Sequence, residues 1–417
     1  MSRRQPLPDL AALGPSLLPH GLGRSYGDSC LNEGGVLLDT TSLNRFIAFD
    51  ATTGLLRCES GVSLAQILDL GVPRGWFLPT TPGTKFVTVG GAIANDIHGK
   101  NHHVAGAFGR HVTCFELLRS DGQRYLCSPN ENVDLYRATI GGMGLTGLIL
   151  WAEVQLRPIS GPYVDMESIR FGSLAEFFEV SEESDRACEY TMAWIDCMAA
   201  GAQVGRGLFM RGNHAWQPRI PGRTGTPRRL LSLPIDLPNW VLNGASVRAF
   251  NALHYHAQLL KRVRKTIPYD PFFYPLDSIG DWNKMYGRRG FLQHQCVLPR
   301  ETALQSLRSI LETGAKSGEG SFLAVLKTFG DVKSPGLMSF PRPGVTLALD
   351  FAFKGEKTLR LLDRIDEIVV DHGGAVYPAK DARMSPKTFE ASFPRWRDFA
   401  GFIDPNFSSS FWRRVTG

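Results

Sequence analysis

Two glycine-rich segments in the first 109 residues restrict the fold of this chain more than any other feature. The first is "GLGRSYGDSC" (21–30), and the second is "PTTPGTKFVTVGGAIANDIHGKNHHVAGAFG" (79–109). A Rossmann turn requires G-x-G-x-x-G at the start of a helix, whereas here the third glycine is displaced to Gly27 and no helical pattern follows. Glycine turns can still bind an anion, because their backbone N–H groups are accessible to a phosphate. The segments therefore predict a pyrophosphate site outside the Rossmann class, although two tight turns without a ligand remain the alternative.

Composition limits the remaining possibilities. A chain of 417 residues exceeds what one hydrophobic core usually supports, so two or three domains are expected. The net charge of +6 fits an anionic ligand or an anionic membrane surface better than a nucleic acid. The seven cysteines form no C-x-x-C pair, which favours reduced thiols. Since no apolar run approaches the length of a membrane span and no convincing signal peptide is present, we expect a protein that is cytoplasmic or peripheral to the inner membrane.

The hydrophobic pattern changes near residue 159. Residues 1–158 consist of short strand patterns with few helices, including a helix in "SLAQILDLG" capped by Ser63 and a hairpin with Asp121-Gly122 at its tip. Residues 159–374 alternate amphipathic helices such as "KTLRLLDRIDEIVVD" with strands such as "FLQHQCVL", "FLAVLKTFG" and "VTLALDFAF". This predicts a separate α+β domain. An irregular excursion rich in Pro, Gly and Arg is expected at about 212–245.

Seven motifs together carry a family resemblance: "GLGRSYGD", "DIHGKNHH", "GGMGLTG", "FYPLDSIGDWNKMYG", "GFLQHQ", "SFLAVLKTFG" and "YPAKDAR". They resemble the vanillyl-alcohol-oxidase-like flavoproteins, and most of all the branch that oxidises the ribose 2′-hydroxyl of decaprenylphosphoryl ribose. The resemblance implies an α+β fold with a two-lobed FAD-binding domain of the p-cresol-methylhydroxylase type in residues 1–158. It also implies a substrate-binding domain with an antiparallel sheet in 159–374, and a segment at 375–417 that returns to the FAD-binding domain.

The resemblance also implies the residues that bind FAD. In the first loop and nearby, these are Gly23, Arg24, Ser25, Tyr26, Gly27, Asp28 and Gly83. In the second segment and beyond, they are Thr88, Val89, Gly90, Gly91, Asn95, Asp96, Ile97, His98, Ile149 and Tyr377, with 88–91 acting as backbone donors. Many relatives attach FAD covalently through a histidine of the first loop. Because Arg24 stands at that point, we expect non-covalent FAD.

Lys380 is the first candidate for a catalytic role, because a cation beside the flavin would stabilise the negative charge of the reduced ring. It could also act as a base, and His98 is a second acid–base candidate. The residues expected to bind the substrate are Phe273, Tyr274, Gln293, Gln295, Lys327 and Thr346, with Lys327 at the phosphate. "HGKNHH" matches no zinc template, so no metal is expected.

The implied reaction is hydride transfer from the carbinol carbon of a polyprenyl-phosphate-linked pentose to flavin N5, giving a keto-sugar. This would be the first half of a 2′-epimerisation that supplies arabinose for cell-wall arabinan, and an NAD(P)H-dependent keto-sugar reductase would be the partner. Phe273 and Tyr274 stand where relatives have tyrosine and histidine, and Thr346 and Ala348 replace an asparagine and a cysteine. These departures bear on the sugar rather than on the flavin.

Other functions are compatible with parts of the pattern. The first alternative is a soluble-sugar, alditol or aldonolactone oxidase of the same superfamily. Contact with a membrane surface is favoured by the residues of the excursion, which are Arg219, Arg223, Arg228, Arg229, Leu230, Leu231, Leu233 and Trp240; a disordered basic loop is the alternative. Nucleic-acid binding is not expected, because its only support is the basic cluster of Lys261, Arg262, Arg264 and Lys265.

Overall fold

The structure is a computed structural model that describes residues 9–215, 231–232, 236, 238 and 241–417. The chain divides into two compact units. The first comprises Met1–Ile159, Asp331–Arg342 and Pro378–Gly417, and the second comprises Ser160–Gly330 and Pro343–Tyr377. Most of the expected excursion, including its four arginines, lies outside the described residues.

The first unit is built on antiparallel strands. Its strands are β1 (Leu17–His20), β2 (Val36–Asp39), β3 (Phe46–Asp50), β4 (Leu55–Glu59), β5 (Trp76–Phe77), β6 (Val112–Leu118), β7 (Arg124–Cys127), β8 (Leu148–Gln155) and β9 (Arg157–Pro158). Its first helices are α1 (Leu64–Gly71), α2 (Val89–Ala94), α3 (His102–Ala105) and α4 (Val133–Thr139). Five strands form an antiparallel sheet in the order β3-β4-β8-β6-β7, while β1 and β2 form a parallel pair.

Local sequence decides several of these boundaries. The Ser63 hydroxyl accepts a hydrogen bond from the Gln66 N–H, and the Gln66 side chain accepts one from the Ser63 N–H. This capping box begins α1 where the sequence predicts it, and the helix ends at Gly71. The β6–β7 hairpin turns at Gly122, whose φ of +79° favours glycine.

The second unit contains one large sheet. Its strands are β10 (Tyr163–Phe171), β11 (Tyr190–Ile195), β12 (Gly207–Ala215), β13 (Leu231–Ser232), β14 (Arg262–Pro268), β15 (Ile279–Gly280), β16 (Phe291–Leu298), β17 (Ala324–Phe329), β18 (Gly344–Ala352) and β19 (Ala375–Val376). Its helices are α5 (Leu174–Ala187), α6 (Gly244–Ala257), α7 (Tyr269–Phe273), α8 (Arg300–Ser317) and α9 (Glu356–Asp371). Eight strands, in the order β14-β10-β12-β11-β17-β18-β16-β19, pair antiparallel throughout. The predicted α+β fold with an antiparallel sheet is confirmed.

One face of this sheet packs on helices. Apolar side chains of α9, including Leu362, Ile365 and Val369, are buried. His294 of β16 contacts Asp366 of α9 through an Nε2–Oδ1 distance of 2.8 Å, and both side chains are buried. Since side chains alternate along a strand, Gln293 and Gln295 lie on the opposite face.

The segment 331–342 differs from the sequence expectation, which assigned it to the second domain. It leaves the sheet between β17 and β18 and belongs to the first unit. The hydroxyls of Ser334 and Ser339 each donate to Asp96 Oδ2 at 2.5 Å, and the Leu337 N–H donates to the Arg137 carbonyl at 2.8 Å. These hydrogen bonds to residues of the first unit hold the segment there.

The chain returns to the first unit at Pro378 rather than at residue 375, because β19 pairs with β16 of the second unit. Three helices follow: α10 (Pro386–Ser392), α11 (Trp396–Ala400) and α12 (Ser410–Thr416). Phe407 packs in a buried apolar cluster with Leu17 and Leu148. The two ends of the described chain therefore share one core.

Candidate active site

The two glycine-rich segments meet in the first unit. A Cβ on Gly21 would lie 2.4 Å from the Thr88 Oγ1 atom, so only glycine allows the first loop to approach the second segment this closely. At the other end of the loop, a Cβ on Gly27 would lie 1.5 Å from the Asp381 carbonyl oxygen. Both glycines are therefore required by contacts between chain segments.

Between these two contacts the loop exposes unpaired backbone donors. Gly23 has a φ of +60°, and both Gly23 and Arg24 are exposed. Among the described residues, no partner accepts from the N–H groups of Gly23, Arg24 and Ser25, while the Arg24 guanidinium donates to the Leu22 carbonyl at 3.0 Å. Consecutive unpaired N–H groups beside a left-handed residue form an anion-binding concavity. The loop thus fits the diphosphate of FAD.

Three of the four backbone donors that we expected from the second segment are paired within the protein. The N–H groups of Val89 and Gly90 donate to the carbonyls of Val62 and Ser60 at 2.8 and 2.7 Å. The Gly91 N–H donates to the hydroxyl of Thr88, which caps α2. The first turn of α2 is therefore satisfied within the protein, and this packing does not support the predicted donation from Val89, Gly90 and Gly91 to FAD.

Both carboxylate oxygens of Asp96 are bound by protein groups. It is completely buried with a φ of +39°, and it accepts hydrogen bonds from the Gly109 N–H and from the hydroxyls of Ser334 and Ser339. Burial raises the pKa of the Asp96 carboxyl. Its oxygens are occupied by protein groups, so this packing does not support the predicted contact between Asp96 and FAD.

The neighbours of Asp96 are also well packed. The Asn95 amide donates to the Gly91 carbonyl at 2.9 Å, and Ile97 is buried. His98 is 7% exposed, and its ring centroid lies 5.7 Å from that of Phe340. Through its hydrogen bonds to Ser334 and Ser339, Asp96 holds the segment 331–342 in place. This segment contains Phe340, which lies against His98.

Three other predicted cofactor residues gain no specific support. Ile149 is a buried residue of β8. Gly83 is exposed, and nothing lies within 4 Å of a Cβ placed on it. Tyr377 belongs to the second unit, where its N–H donates to the Gln295 carbonyl at 2.9 Å.

Lys380 lies beside the first loop. It ends a short 3-10 turn, Pro378–Lys380, and its Nζ atom is 3.8 Å from the centroid of the Tyr26 ring. The Tyr26 N–H donates to the Ala379 carbonyl at 2.9 Å. A cation over an aromatic face is attracted by the ring quadrupole, so Tyr26 helps to hold the lysine next to the proposed diphosphate loop.

The substrate candidates of the second unit form a polar row on one sheet face. Lys327 of β17 lies directly opposite Thr346 of β18, and the Gln295 amide of β16 donates to the Thr346 hydroxyl at 3.0 Å. Gln293 donates to Asp350 at 2.5 Å. Gln295 and Thr346 are buried, so the row presents fixed polar groups that suit a hydroxylated ligand.

Lys327 is the exceptional member of this row. It is half-buried and makes no hydrogen bond or ion pair with any described residue. Burial lowers the pKa of its ammonium group to about 8. An anion bound beside it would stabilise the charged form.

Phe273 and Tyr274 are each 1% exposed. The Phe273 ring lies edge-on to Tyr190 with a centroid distance of 4.7 Å, and burial raises the pKa of the Tyr274 hydroxyl well above its ordinary value. Both rings belong to an aromatic cluster inside the second unit, so their predicted contact with substrate is not supported by this packing.

The basic cluster behind the nucleic-acid alternative is largely neutralised. Three of its cations pair with carboxylates: Lys261 with Glu176 at 2.6 Å, Arg262 with Glu183 at 3.5 Å, and Arg264 with Glu167 at 2.8 Å.

Comparison with known proteins identifies the family. Residues 10–128 match the sequence profile of a protein family whose description is "FAD binding domain". Decaprenylphosphoryl-β-D-ribose oxidase of Mycolicibacterium smegmatis is 38% identical over 415 residues, covering 96% of this chain and 89% of that enzyme. The chain belongs to this family of FAD-dependent oxidases.

An uncharacterised protein of Streptomyces coelicolor is 33% identical over 372 residues, which is 85% of this chain and 100% of that protein. Human Δ24-sterol reductase is 32% identical over 117 residues, or 28% of this chain and 23% of the reductase.

The family confirms that this oxidase is an FAD-dependent oxidoreductase. It leaves the attachment of FAD as a prediction. Cys30 is a nucleophile on the first loop, but burial raises the pKa of its thiol and its Sγ contacts the carbonyls of Ser25 and Gly27. Acid precipitation of the purified oxidase should therefore leave yellow FAD in the supernatant, and flavin retained in the pellet would refute non-covalent binding.

The sequence did not predict the contacts of Ser334, Ser339 and Arg414. Ser334 and Ser339 lie in a Pro- and Gly-rich stretch that gave no strand or helix pattern; its length, too great for a hairpin turn, was the available signal. Arg414 binds both Asp28 and Asp381. No local signal marks it, since a basic residue in the last turn of a helix usually interacts only with the helix dipole and solvent.

Proposed function

We propose that this oxidase removes hydride from the 2′-carbinol carbon of a polyprenyl-phosphate-linked pentose, as in a decaprenylphosphoryl-ribose 2′-oxidase. The observation that carries the proposal is Lys327, a cation with no hydrogen-bond or ion-pair partner among the described residues, which lies on the same sheet face as Gln295 and Thr346. A sugar phosphate offers both the anion and the hydroxyl groups that this row would bind. The match to the mycobacterial oxidase supports the proposal, because it extends over both units.

The residues would divide the work as follows. FAD, when bound, supplies the acceptor for the hydride. The N–H groups of Gly23, Arg24 and Ser25 would bind its diphosphate. As an ammonium ion, Lys380 would hold positive charge near the reacting atoms, and His98 would then accept the hydroxyl proton. A neutral Lys380 would instead accept that proton itself. Oxidation thus removes one hydride and one proton from the alcohol and leaves a keto-sugar.

Anaerobic flavin bleaching tests this proposal directly. Decaprenylphosphoryl ribose should bleach the flavin absorbance at substoichiometric to equimolar amounts, whereas free ribose, alditols and aldonolactones should not. Rapid bleaching by a free polyol, with none by the lipid-linked sugar, would overturn the proposal in favour of a soluble-sugar oxidase. Mass analysis of the product distinguishes a 2′-keto-sugar from its isomers by deuteride reduction.

The product requires a second enzyme if epimerisation is to be completed. We infer an NAD(P)H-dependent keto-sugar reductase as the partner, because hydride delivery to the opposite face of the 2′-ketone would give the arabinose form. Adding such a reductase and NADPH to the oxidase reaction should yield polyprenylphosphoryl arabinose, and omitting either enzyme should prevent it.

We also propose that the protein contacts the surface of an anionic membrane, where a polyprenyl phosphate resides. Within the described residues, no helix is long and apolar enough to span a bilayer. However, Leu253, Leu259 and Leu260, at the end of α6 and just after it, are 74%, 82% and 68% exposed. Arg248 and Lys265 flank these leucines in sequence and are also exposed. Exposed apolar and basic side chains within one short stretch of chain are typical of a peripheral membrane contact.

Replacing Leu259 and Leu260 together by glutamate should lower sedimentation with phosphatidylglycerol vesicles about tenfold, because apolar insertion is lost and negative charge is added. Leu304→Glu, at a 44% exposed leucine of α8, is the matched control and should bind vesicles normally. Equal binding by the double variant and the wild type would contradict this membrane contact.

A further inference from the structure

We propose that Arg414 is a positioning residue, which fixes the diphosphate loop to the turn that carries Lys380. This inference rests on the proposed role of Lys380. Arg414 lies in α12, more than 380 positions after the loop in sequence. Its guanidinium joins the two segments through charged hydrogen bonds.

The Arg414 guanidinium binds Asp28 through two nitrogens and also binds Asp381 and Met384. Nε and Nη2 donate to Asp28 Oδ2 and Oδ1 at 2.8 and 2.7 Å. Nη2 also donates to Asp381 Oδ2 at 2.9 Å, and Nη1 donates to the Met384 carbonyl. Asp28 follows Gly27 of the loop, and Asp381 follows Lys380. One guanidinium therefore links Asp28, at the end of the diphosphate loop, to Asp381, which follows Lys380.

The backbone joins the same two segments. The carbonyl oxygen of Asp381 occupies the space where Gly27 would carry a Cβ, and the Tyr26 N–H donates to the Ala379 carbonyl. These contacts bring the segments together, but neither contains a charge. Arg414 supplies the counter-ion that two neighbouring carboxylates need in order to stay close.

Asp381 shows why the counter-ion is needed. It is 4% exposed, and burial raises the pKa of its carboxyl, while the neighbouring Arg414 favours the ionised form. The Asp381 oxygens also accept the N–H groups of Arg383 and Met384. Without Arg414 this buried carboxylate would lose its bridge to Asp28, and the turn that ends at Lys380 would no longer be held to the loop.

The neighbouring Arg413 provides a matched control in the same helix. Its guanidinium donates to Asn32 Oδ1 and to the Glu33 carbonyl, each at 2.7 Å. These bonds dock α12 on the chain after the loop without touching Asp28 or Asp381. Removing Arg413 tests helix docking alone.

The experiment compares Arg414→Ala and Arg413→Ala by FAD affinity and by the midpoint potential of the bound flavin. For Arg414→Ala we expect the FAD dissociation constant to rise about tenfold or more and the potential to become more negative, because the Lys380 cation is displaced from the flavin. Added guanidinium ion, at concentrations that leave the fold intact, should partly restore both values. Arg413→Ala should change neither by more than about twofold.

The inference is overturned if Arg414→Ala leaves the potential unchanged at saturating FAD, or if Arg413→Ala causes equal losses. The first result would limit Arg414 to holding the loop, and the second would reduce its role to helix docking. Neither readout uses the sugar substrate. Failure of the polyprenyl-phosphate proposal would instead appear as absent flavin bleaching in the wild-type oxidase.

Discussion

Replacing Lys380 by methionine is expected to slow flavin reduction by substrate about 100- to 1,000-fold, which is the usual cost of removing one preorganised electrostatic partner. Methionine keeps the unbranched apolar stem but removes the ammonium group that lies 3.8 Å from the Tyr26 ring. Stopped-flow absorbance under anaerobic conditions gives the rate constant. The FAD dissociation constant should change far less, because the proposed diphosphate donors belong to residues 23–25.

Lys387→Met is the control for this prediction, since Lys387 is an exposed lysine of α10 only seven positions away. It should reduce flavin at the wild-type rate. An unchanged rate in Lys380→Met would remove Lys380 from the mechanism while leaving the family assignment intact.

Replacing Lys327 by methionine is expected to have two opposite effects. The protein without substrate should become more stable by about 2 to 3 kcal/mol near pH 7, because a half-buried ammonium group with a pKa of about 8 no longer has to be charged there. At the same time kcat/KM for a polyprenyl-phosphate sugar should fall about 100-fold, because the proposed phosphate partner is lost. Thermal unfolding and steady-state kinetics measure the two effects separately.

The stability difference should depend on pH with a definite sign. The pKa of Lys327 is about 8 in the folded protein and about 10.4 in an unfolded chain. Between these values the unfolded state binds more protons, so the stability of the wild type rises with pH relative to that of Lys327→Met. The advantage of the variant should therefore be complete below pH 8 and disappear above about pH 10.4.

Thr346→Val tests whether the pH-dependent gain in stability comes from removing the Lys327 cation. It removes the hydroxyl opposite Lys327 but leaves the ammonium group in place, so it should not produce the pH-dependent gain in stability. A Lys327→Met protein that is less stable than the wild type at pH 7, or that retains full kcat/KM, would contradict the proposed role of this lysine.

Features that a few neighbouring residues decide could be predicted from the sequence. The Ser63 cap, the Asp121-Gly122 hairpin and the antiparallel α+β layer all depend on short-range patterns. The meeting of the two glycine-rich segments was also foreseeable, since so many glycines indicate close approach of backbone to something. The pattern did not reveal that for Gly21 and Gly27 the nearest neighbour is the protein itself.

The site predictions that the packing does not support have a common physical cause. A sequence shows that a residue is polar, but not which group forms a hydrogen bond with it after folding. Asp96 and the N–H groups of Val89 and Gly90 are bound by protein groups, and the motif gave no sign of these partners. Arg414 could not be found at all, because its partners are distant in sequence.

The division of the first unit into separate chain segments has a consequence for synthesis on the ribosome. Residues 378–417, which carry Lys380 and Arg414, are translated after the whole of the second unit. The nascent loop at 21–28 must therefore remain without its counterpart while the strands of the large sheet are translated. A ribosomal product that stops short of residue 378 would contain both glycine-rich segments and still lack the turn that carries Lys380.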